Sequence, residues 1–357
     1  MECGLVGFSS TGKSTLLAAL VGGQSKISSS GSAMKPAMGM APVPDPRLET
    51  IAALIPPEKI IPVSLTLIDI PGLPSGQDPK QLNNVLSHLR QVDALCLVLR
   101  CYDAPGLPEA DPVAEARAWD DEVVLADLIV VESALDKAKR AARGRDPEAP
   151  ARQSLLEKVS ATLEAGMPVR EMAKELDDTE TRLLSAYGLI TSKPVLFVAN
   201  VGEDDPSGQG AAATALAEYA VSKGALSVPV CAVLEAEIAE MDVDDRNEML
   251  EGLGLSEPAI GPLARALYQS LGLACFYTAG EKEVRAWTIV HGATAPQAAG
   301  AIHSDIERGF IRAECFHVDD LVAHESEKAI RGAGKLRSEG KSYVMQDGDV
   351  VHFLFNV

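Results

Sequence analysis

No stretch of this chain stays apolar for the roughly 18 residues that a membrane-spanning helix requires. Its start shows no basic region followed by an apolar core and a cleavage site, so a cytoplasmic protein with no membrane partner is expected. A disulfide framework is also missing. Cys3, Cys96, Cys101, Cys231, Cys275 and Cys315 are scattered, none forms C-x-x-C, and most sit in apolar runs. They read as buried thiols of a reducing compartment. His88, His291, His303, His317, His324 and His352 lack metal-ligand spacing, which argues against a transition-metal site. Basic charge is scarce: 51 acidic residues stand against 32 basic ones, a net of −19. A surface this acidic argues against broad, unspecific nucleic-acid binding, and no DNA partner is expected. No internal repeat is visible. The 357 residues allow two or three domains with a sizeable core.

What is present begins at once. Gly7-Phe8-Ser9-Ser10-Thr11-Gly12-Lys13-Ser14-Thr15 fits G-x-x-x-x-G-K-[ST] at every defined position. The apolar run Cys3 to Val6 precedes it and the helix former Leu16-Leu17-Ala18-Ala19-Leu20 follows. This is the strand, loop and helix context of a phosphate-binding loop. Glycines let backbone N–H groups turn inward on an anion, and the helix adds its positive end. Ser9, Ser10, Thr11, Gly12, Lys13, Ser14 and Thr15 are therefore the expected phosphate contacts. Lys13 is expected to reach the β- and γ-phosphates, and the Ser14 hydroxyl to sit on Mg²⁺.

Further along, Gly22 to Ser32 is small and polar and reads as the loop where a first switch would lie. Pro42-Val43-Pro44-Asp45-Pro46-Arg47 is forced extended, ahead of a helix signal from Leu48 to Leu54. Ser64 to Ile70 is a buried strand ending in Asp69-Ile70-Pro71-Gly72. Its order after Lys13 makes Asp69 the expected second Mg²⁺ residue, and the Gly72 N–H a γ-phosphate contact. Lys13 and Gly72 are thus the catalytic candidates. Leu73 follows, where many GTPases carry a Gln that orients the attacking water; leucine cannot do that. Leu82 to Gln91 reads as a helix and Ala94 to Tyr102 as a strand. Asp103 to Asp121 reads as an acidic loop, with Asp120-Asp121-Glu122 as a solvated helix start.

From Glu122 to Tyr187 the periodicity is helical: Leu125, Leu128, Val131 and Leu135, then Leu155, Val159 and Leu163, then Val169 to Leu184. This is a helical hairpin arm inserted in an α/β domain, either packed on the core or projecting toward a partner. Lys193 to Val201 resumes the sheet and ends in Asn200-Val201-Gly202-Glu203-Asp204. Asn200 can read ring nitrogens or brace the phosphate loop, and Glu203 can accept base N–H donors. Turn residues alone also explain the motif. It is not N-K-x-D, so strict guanine selectivity is not expected. Val228 to Leu234 reads as a sixth strand that brings Cys231, Ala232 and Val233 to the base by backbone; Val201 completes the set. In the tail, Thr294-Ala295-Pro296-Gln297 resembles a capping box, heading a helix with Ala298, Ile302, Ile306 and Phe310 on its apolar face. Asp347-Gly348 signals a hairpin between Tyr343-Val344-Met345 and Val350 to Phe355. The tail reads as a small α+β domain.

These motifs together resemble the YchF-type Obg-like ATPases, P-loop NTPases of the TRAFAC class, over nearly the full chain. The resemblance is carried by the phosphate loop, Pro42 to Leu48, Leu125-Ala126-Asp127-Leu128, Lys193-Pro194 with Asn200-Val201 and Glu203-Asp204, and most specifically by the tail. There the matches are Tyr277-Thr278-Ala279-Gly280, Lys282 to Thr288, Gly292 to Gly300, Gly309 to Ala313 and Asp347 to Val357. It implies an α/β P-loop NTPase G domain (1–121 and 193–275), an inserted helical, coiled-coil arm (122–192) and a C-terminal α+β β-grasp domain of the TGS type (276–357). It also implies ATP preference through N-x-x-E with GTP possible, slow hydrolysis with Mg²⁺, and association with ribosomes or other translation components.

Departures from the family lie at the nucleotide. The switch threonine position falls on Ala33, with Lys35 for an acidic residue and Ala37 for an asparagine; Ser30 or Ser32 are the available substitutes. Ser10 replaces an Asn linked with K⁺ use. No His occurs between His88 and His291, so the histidine thought to help hydrolysis is missing, and the loop after Asp69 is shorter. Losing one transition-state donor costs roughly 10²–10³ in rate. The expectation is a nucleotide-binding regulatory NTPase with low turnover. The alternatives are a binding module that hardly hydrolyses and, third, a small-molecule P-loop kinase.

Overall fold

The first strand, β1 (Glu2–Val6), has four buried residues in a row and runs straight into the glycine loop and α1 (Lys13–Val21). A strand buried on both faces needs parallel neighbours with helices covering them, and the remaining chain supplies these. In this computed structural model, which describes residues 1–22, 36–73, 79–142 and 148–356, β2 (Ala37–Pro42) is followed by α2 (Pro46–Leu54), β3 (Ile60–Ile61), β4 (Ser64–Asp69), α3 (Pro79–Gln91) and β5 (Ala94–Arg100). Then come α4 (Pro112–Ala141), α5 (Ala149–Glu164), a 3₁₀ turn at Val169–Glu175, α6 (Asp178–Ser185), β6 (Val195–Asn200), α7 (Ala211–Ser222), β7 (Leu226–Val230), α8 (Ala232–Ile238), α9 (Val243–Gly252) and α10 (Ile260–Ser270). The chain ends with β8 (Leu273–Ala279), β9 (Val284–Val290), α11 (Ala295–Ile302), α12 (Ser304–Arg308), β10 (Phe310–His317), α13 (Val318–His324), α14 (Glu327–Gly332), β11 (Arg337–Glu339) and β12 (Asp349–Phe355). The switch positions Ser30, Ser32, Ala33 and Lys35, the shortened loop at 74–78 and the turn at 143–147 lie outside the described residues.

Two compact units result: residues 1–41 with 66–262, and residues 42–65 with 263–357. In the first, the sheet order is β2-β4-β1-β5-β6-β7, with β1 parallel to both β4 and β5, and β6 parallel to β5 and β7. Its core joins Leu95, Leu97 and Leu99 of β5 to Leu89, Trp119, Val123 and Phe197. The helical arm has its own core, Val131, Ala138, Leu155, Leu156, Val159 and Leu163, where α4 lies on α5.

The second unit carries the sheet β11-β10-β12-β8-β9-β3. Its makeup differs from the sequence partition, which left 42–65 and 263–275 with the first domain. Leu48 and Ile51 of α2 are buried against Cys275, Tyr277, Val284 and Phe316, and β3 pairs parallel with β9. Polar groups fix the same segment. The Tyr277 hydroxyl donates to Asp45, and Arg47 bonds Asp347 at 2.7 Å while lying over the Tyr277 ring.

Four local readings change. The acidic stretch 112–121 is helix, because Asp111 caps Ala114 N–H and Pro112 takes the first turn; Asp120 is then mid-helix, buried and paired with Arg170. Val169 to Leu184 breaks in two because Asp177 and Glu180 form a capping box that starts α6 afresh. Ala298, Ile302, Ile306 and Phe310 share one core as expected, but across α11, α12 and the start of β10. Asp347-Gly348 closes no hairpin: Met345 N–H bonds Ala293 O, Val344 bridges Thr294, and β12 pairs with β10 and β8.

Candidate functional site

The glycine loop is shaped by close contacts from three directions. Gly7 has φ +137° and a Cβ there would stand 2.5 Å from Val98 O. Gly12 has φ +91° and its Cβ would meet Asn200 Nδ2 at 2.2 Å. Both positions therefore require glycine. Ser10 takes the left-handed region too, φ 66°, as a residue with a side chain; there Asn is favoured and Ser is not. Thr11 Oγ1 donates to Phe8 O at 3.2 Å, tying the loop to itself.

Lys13 is buried and its Nζ donates to Phe8 O at 2.5 Å. Burial lowers its affinity for a proton, and the nearby Asp69 carboxylate partly opposes this. Asp69 ends β4 half-buried. Its Oδ2 accepts from Ser14 Oγ at 2.5 Å. Burial pushes its carboxyl above the ordinary range, against the Ser14 hydrogen bond and the Lys13 charge. A hydroxyl and a carboxylate that meet at hydrogen-bond distance beside a lysine are hard oxygen donors suited to Mg²⁺, which binds such groups together with phosphate oxygens. Gly72 lies against the same loop: a Cβ on it would be 3.1 Å from Gly7 O and from Ser9 N. The next side chain, Leu73, is buried in the core of the first unit.

Asn200 is buried and has both ends of its amide committed. Nδ2 donates to Thr11 O at 2.9 Å and Oδ1 accepts from Ala232 N–H at 3.2 Å. Of the two roles open to it, bracing is the one the side chain performs here. Cys231 to Val233 do not continue a strand. Cys231 is the N-cap of α8, and Ala232 and Val233 open that helix, because β7 already stops at Val230.

A cavity of about 920 Å³ opens beside the loop. Gly12 and Thr15 line it at the glycine loop, and Asn200, Val201, Glu203, Cys231, Ala232 and Val233 line it elsewhere. Ser9 and Ser10 stay exposed on the loop. Sequence reasoning missed Tyr102, Asp103, Glu109 and Asp111, which form another part of the wall. The signal was available: they follow the carboxyl end of β5, where ligands bind in open α/β sheets. Of the two thiols in the cavity wall, burial pushes Cys101 up to about 12 and raises Cys231 as well.

A parallel sheet whose first strand feeds a glycine loop, with an acidic residue ending the adjacent strand, defines a P-loop NTPase, a class that generally takes Mg²⁺ with its nucleotide. Within that class the chain belongs to the YchF family. It is 39% identical to the ribosome-binding ATPase YchF of Pasteurella multocida over 363 residues, spanning 100% of this chain and 99% of the relative. It is 40% identical to that of Bacillus subtilis over 367 residues and the whole of both chains. The structure of the Schizosaccharomyces pombe YchF GTPase superposes with a TM-score of 0.86 at 30% identity, covering 99% of this chain and 97% of that one. A family model described as a 50S ribosome-binding GTPase matches residues 2–133. A YchF-GTPase C-terminal model, described as a protein of unknown function, matches residues 273–356. No helix among the described residues is long and apolar enough to cross a membrane.

Proposed function

We propose that this chain is a nucleotide-dependent regulatory ATPase that acts on the ribosome in the cytoplasm and hydrolyses ATP slowly to ADP and phosphate. The observation that carries the reading is the single cavity that runs from Gly12 and Thr15 of the phosphate loop to Glu203 and Cys231–Val233. A nucleoside triphosphate laid along it would have its phosphates at Gly12 and Thr15 and its base at the far end. Ser9 to Thr15 hold the phosphates through backbone N–H groups. Lys13 leaves Phe8 O for the β- and γ-oxygens, and the Gly72 N–H faces the γ-phosphate. Ser14 and Asp69 are the residues that would hold Mg²⁺, which would supply charge compensation for the phosphates. Since Asn200 is spent on bracing, base selection falls to Glu203, Val201 and the backbone of Cys231 to Val233. Glu203 accepts an exocyclic amine, which adenine and guanine both carry, so the preference for ATP follows from the names of the relatives. The arm (122–192) and the tail are the parts that meet the partner, and the ribosome follows from the names of the relatives.

Calorimetric titration of ATP and GTP, with and without Mg²⁺, tests this. ATP is expected to bind more tightly than GTP, and Lys13→Ala to weaken ATP about 10-fold to 100-fold, the worth of a hydrogen bond to a charged group. Unchanged affinity in that variant overturns the assignment. One observation favours a second reading, a module that binds but hardly hydrolyses. Leu73 is turned into the core, so the position after Gly72 presents no group to a water. Phosphate release in a single turnover, with and without ribosomes, separates the two readings.

A further inference from the structure

Away from the nucleotide, the helical arm carries an open groove of about 840 Å³ between α4, α5 and α6. Its floor is Val130, Ala134 and Ala138 of α4 with Leu183 and Tyr187 from the α6 side. Ile129 also lines it and is 69% exposed; Leu125, one helical turn earlier on the same row, is 59% exposed. Exposed Leu and Ile in line with an apolar groove form a continuous patch, the kind of surface that marks an interaction site.

The charges of the groove are of one sign. Lys137, Arg152 and Arg182 line it, and no carboxylate does among the described residues. Arg152 is held by Glu148 at 3.3 Å. Lys137 and Arg182 are exposed and have no ion-pair partner among the described residues. On a chain of net charge −19, an apolar groove edged only by cations is selective about its occupant. It repels acidic proteins in general less than the rest of the surface does, and it rewards a partner that brings apolar and acidic groups on adjoining faces. The lining residues of α4 run from Ile129 to Ala141, which is roughly 18 Å of helix. That matches about three turns of a partner helix laid in the groove.

We infer that this groove docks an acidic amphipathic helix of a partner protein, with its apolar stripe on Ile129, Val130, Ala134 and Leu183 and its carboxylates on Lys137 and Arg182. RNA fits less well. Its affinity comes from neutralising many phosphates, and the groove offers two unpaired cations on a mainly apolar floor. The inference does not depend on nucleotide chemistry, since none of these residues lines the nucleotide cavity.

The test uses the full chain and three fluorescent 14-residue helical peptides that share one leucine stripe and carry flanking charges of −4, 0 or +4. Anisotropy is expected to rank them acidic, neutral, basic. The double variant Lys137→Glu with Arg182→Glu should weaken the acidic peptide at least tenfold and invert the ranking. Ile129→Asp should weaken all three. All of these residues are exposed, and an unchanged melting curve and ATP affinity would show that the fold is intact. Lys13→Ala should leave the peptide ranking as it is. Equal binding of the three peptides, a ranking indifferent to the charge reversal, no binding below about 100 μM, or displacement of the acidic peptide by a short duplex RNA would each overturn the proposal.

Discussion

Asp69, which we propose holds a cation, is half-buried beside the glycine loop. Burial raises its affinity for a proton, more than Ser14 and Lys13 lower it. A carboxyl whose folded value lies above its unfolded one favours the fold only while protonated. Stability without ligand therefore falls as pH climbs through the interval between the two values. Asp69→Asn keeps an acceptor for the Ser14 hydroxyl and removes the charge. We expect its thermal midpoint without nucleotide at neutral pH to equal or exceed that of the native chain, and its stability to lose that downward slope. The gain in ATP affinity that Mg²⁺ provides should vanish. Melting curves over a pH series and calorimetry with and without Mg²⁺ check the two halves separately. A lower midpoint at neutral pH would show that the carboxylate supports the fold.

At the level of elements, α4 is the piece on which most depends. Asp127 is fully buried in it and accepts from Thr191 N–H at 2.7 Å and Thr191 Oγ1 at 2.8 Å, with Arg90 at 3.4 Å. One carboxylate thus pins the arm helix to the turn just before β6, the strand that delivers Asn200. Asp127→Ala strands those donors without a partner and should cost about 3 kcal/mol or more, measured by urea unfolding. Asp127→Asn, which keeps an acceptor, should cost less. Elements with a continuous apolar run were legible in the chain: β1, β4, β5 and β6 fall within a residue or two of their expected bounds, because a strand covered on both faces shows as an unbroken apolar run. What could not be read depended on partners distant in sequence. Asp120 looks like a solvated charge until Arg170 is brought to it. The Asp347-Gly348 turn looks like a hairpin until Ala293 and Thr294 claim the residues before it. The glycine loop, Asp69 and Asn200 stood out as residues in the chain, and the fold brings them together. The acidic wall from Tyr102 to Asp111 was missed, although its place after the carboxyl end of β5 signalled it.

At the scale of the whole molecule, the chain changes units three times, after Ala41, after Leu65 and after Pro262. Residues 42–65 come from between the first two strands on one side of the nucleotide sheet and complete the core of the other unit. Leu48 and Ile51 together are worth about 3–6 kcal/mol when buried, against a typical total stability of about 5–15 kcal/mol for a domain. A fragment of residues 263–357 alone should therefore show no cooperative melting transition. The same fragment with residues 42–65 joined to its front by a flexible linker should recover one. Calorimetric scans of the two distinguish the outcomes, and a sharp transition in the shorter fragment would show that α2 and β3 are dispensable. The interleaving also limits how such a protein can be rebuilt. A tail that owns a piece of chain lodged between β2 and β4 cannot be cut off, exchanged or fused elsewhere as one contiguous cassette. A gene that acquired only the last hundred codons would inherit a sheet without the helix that closes its core. The two units are bound to be transmitted together.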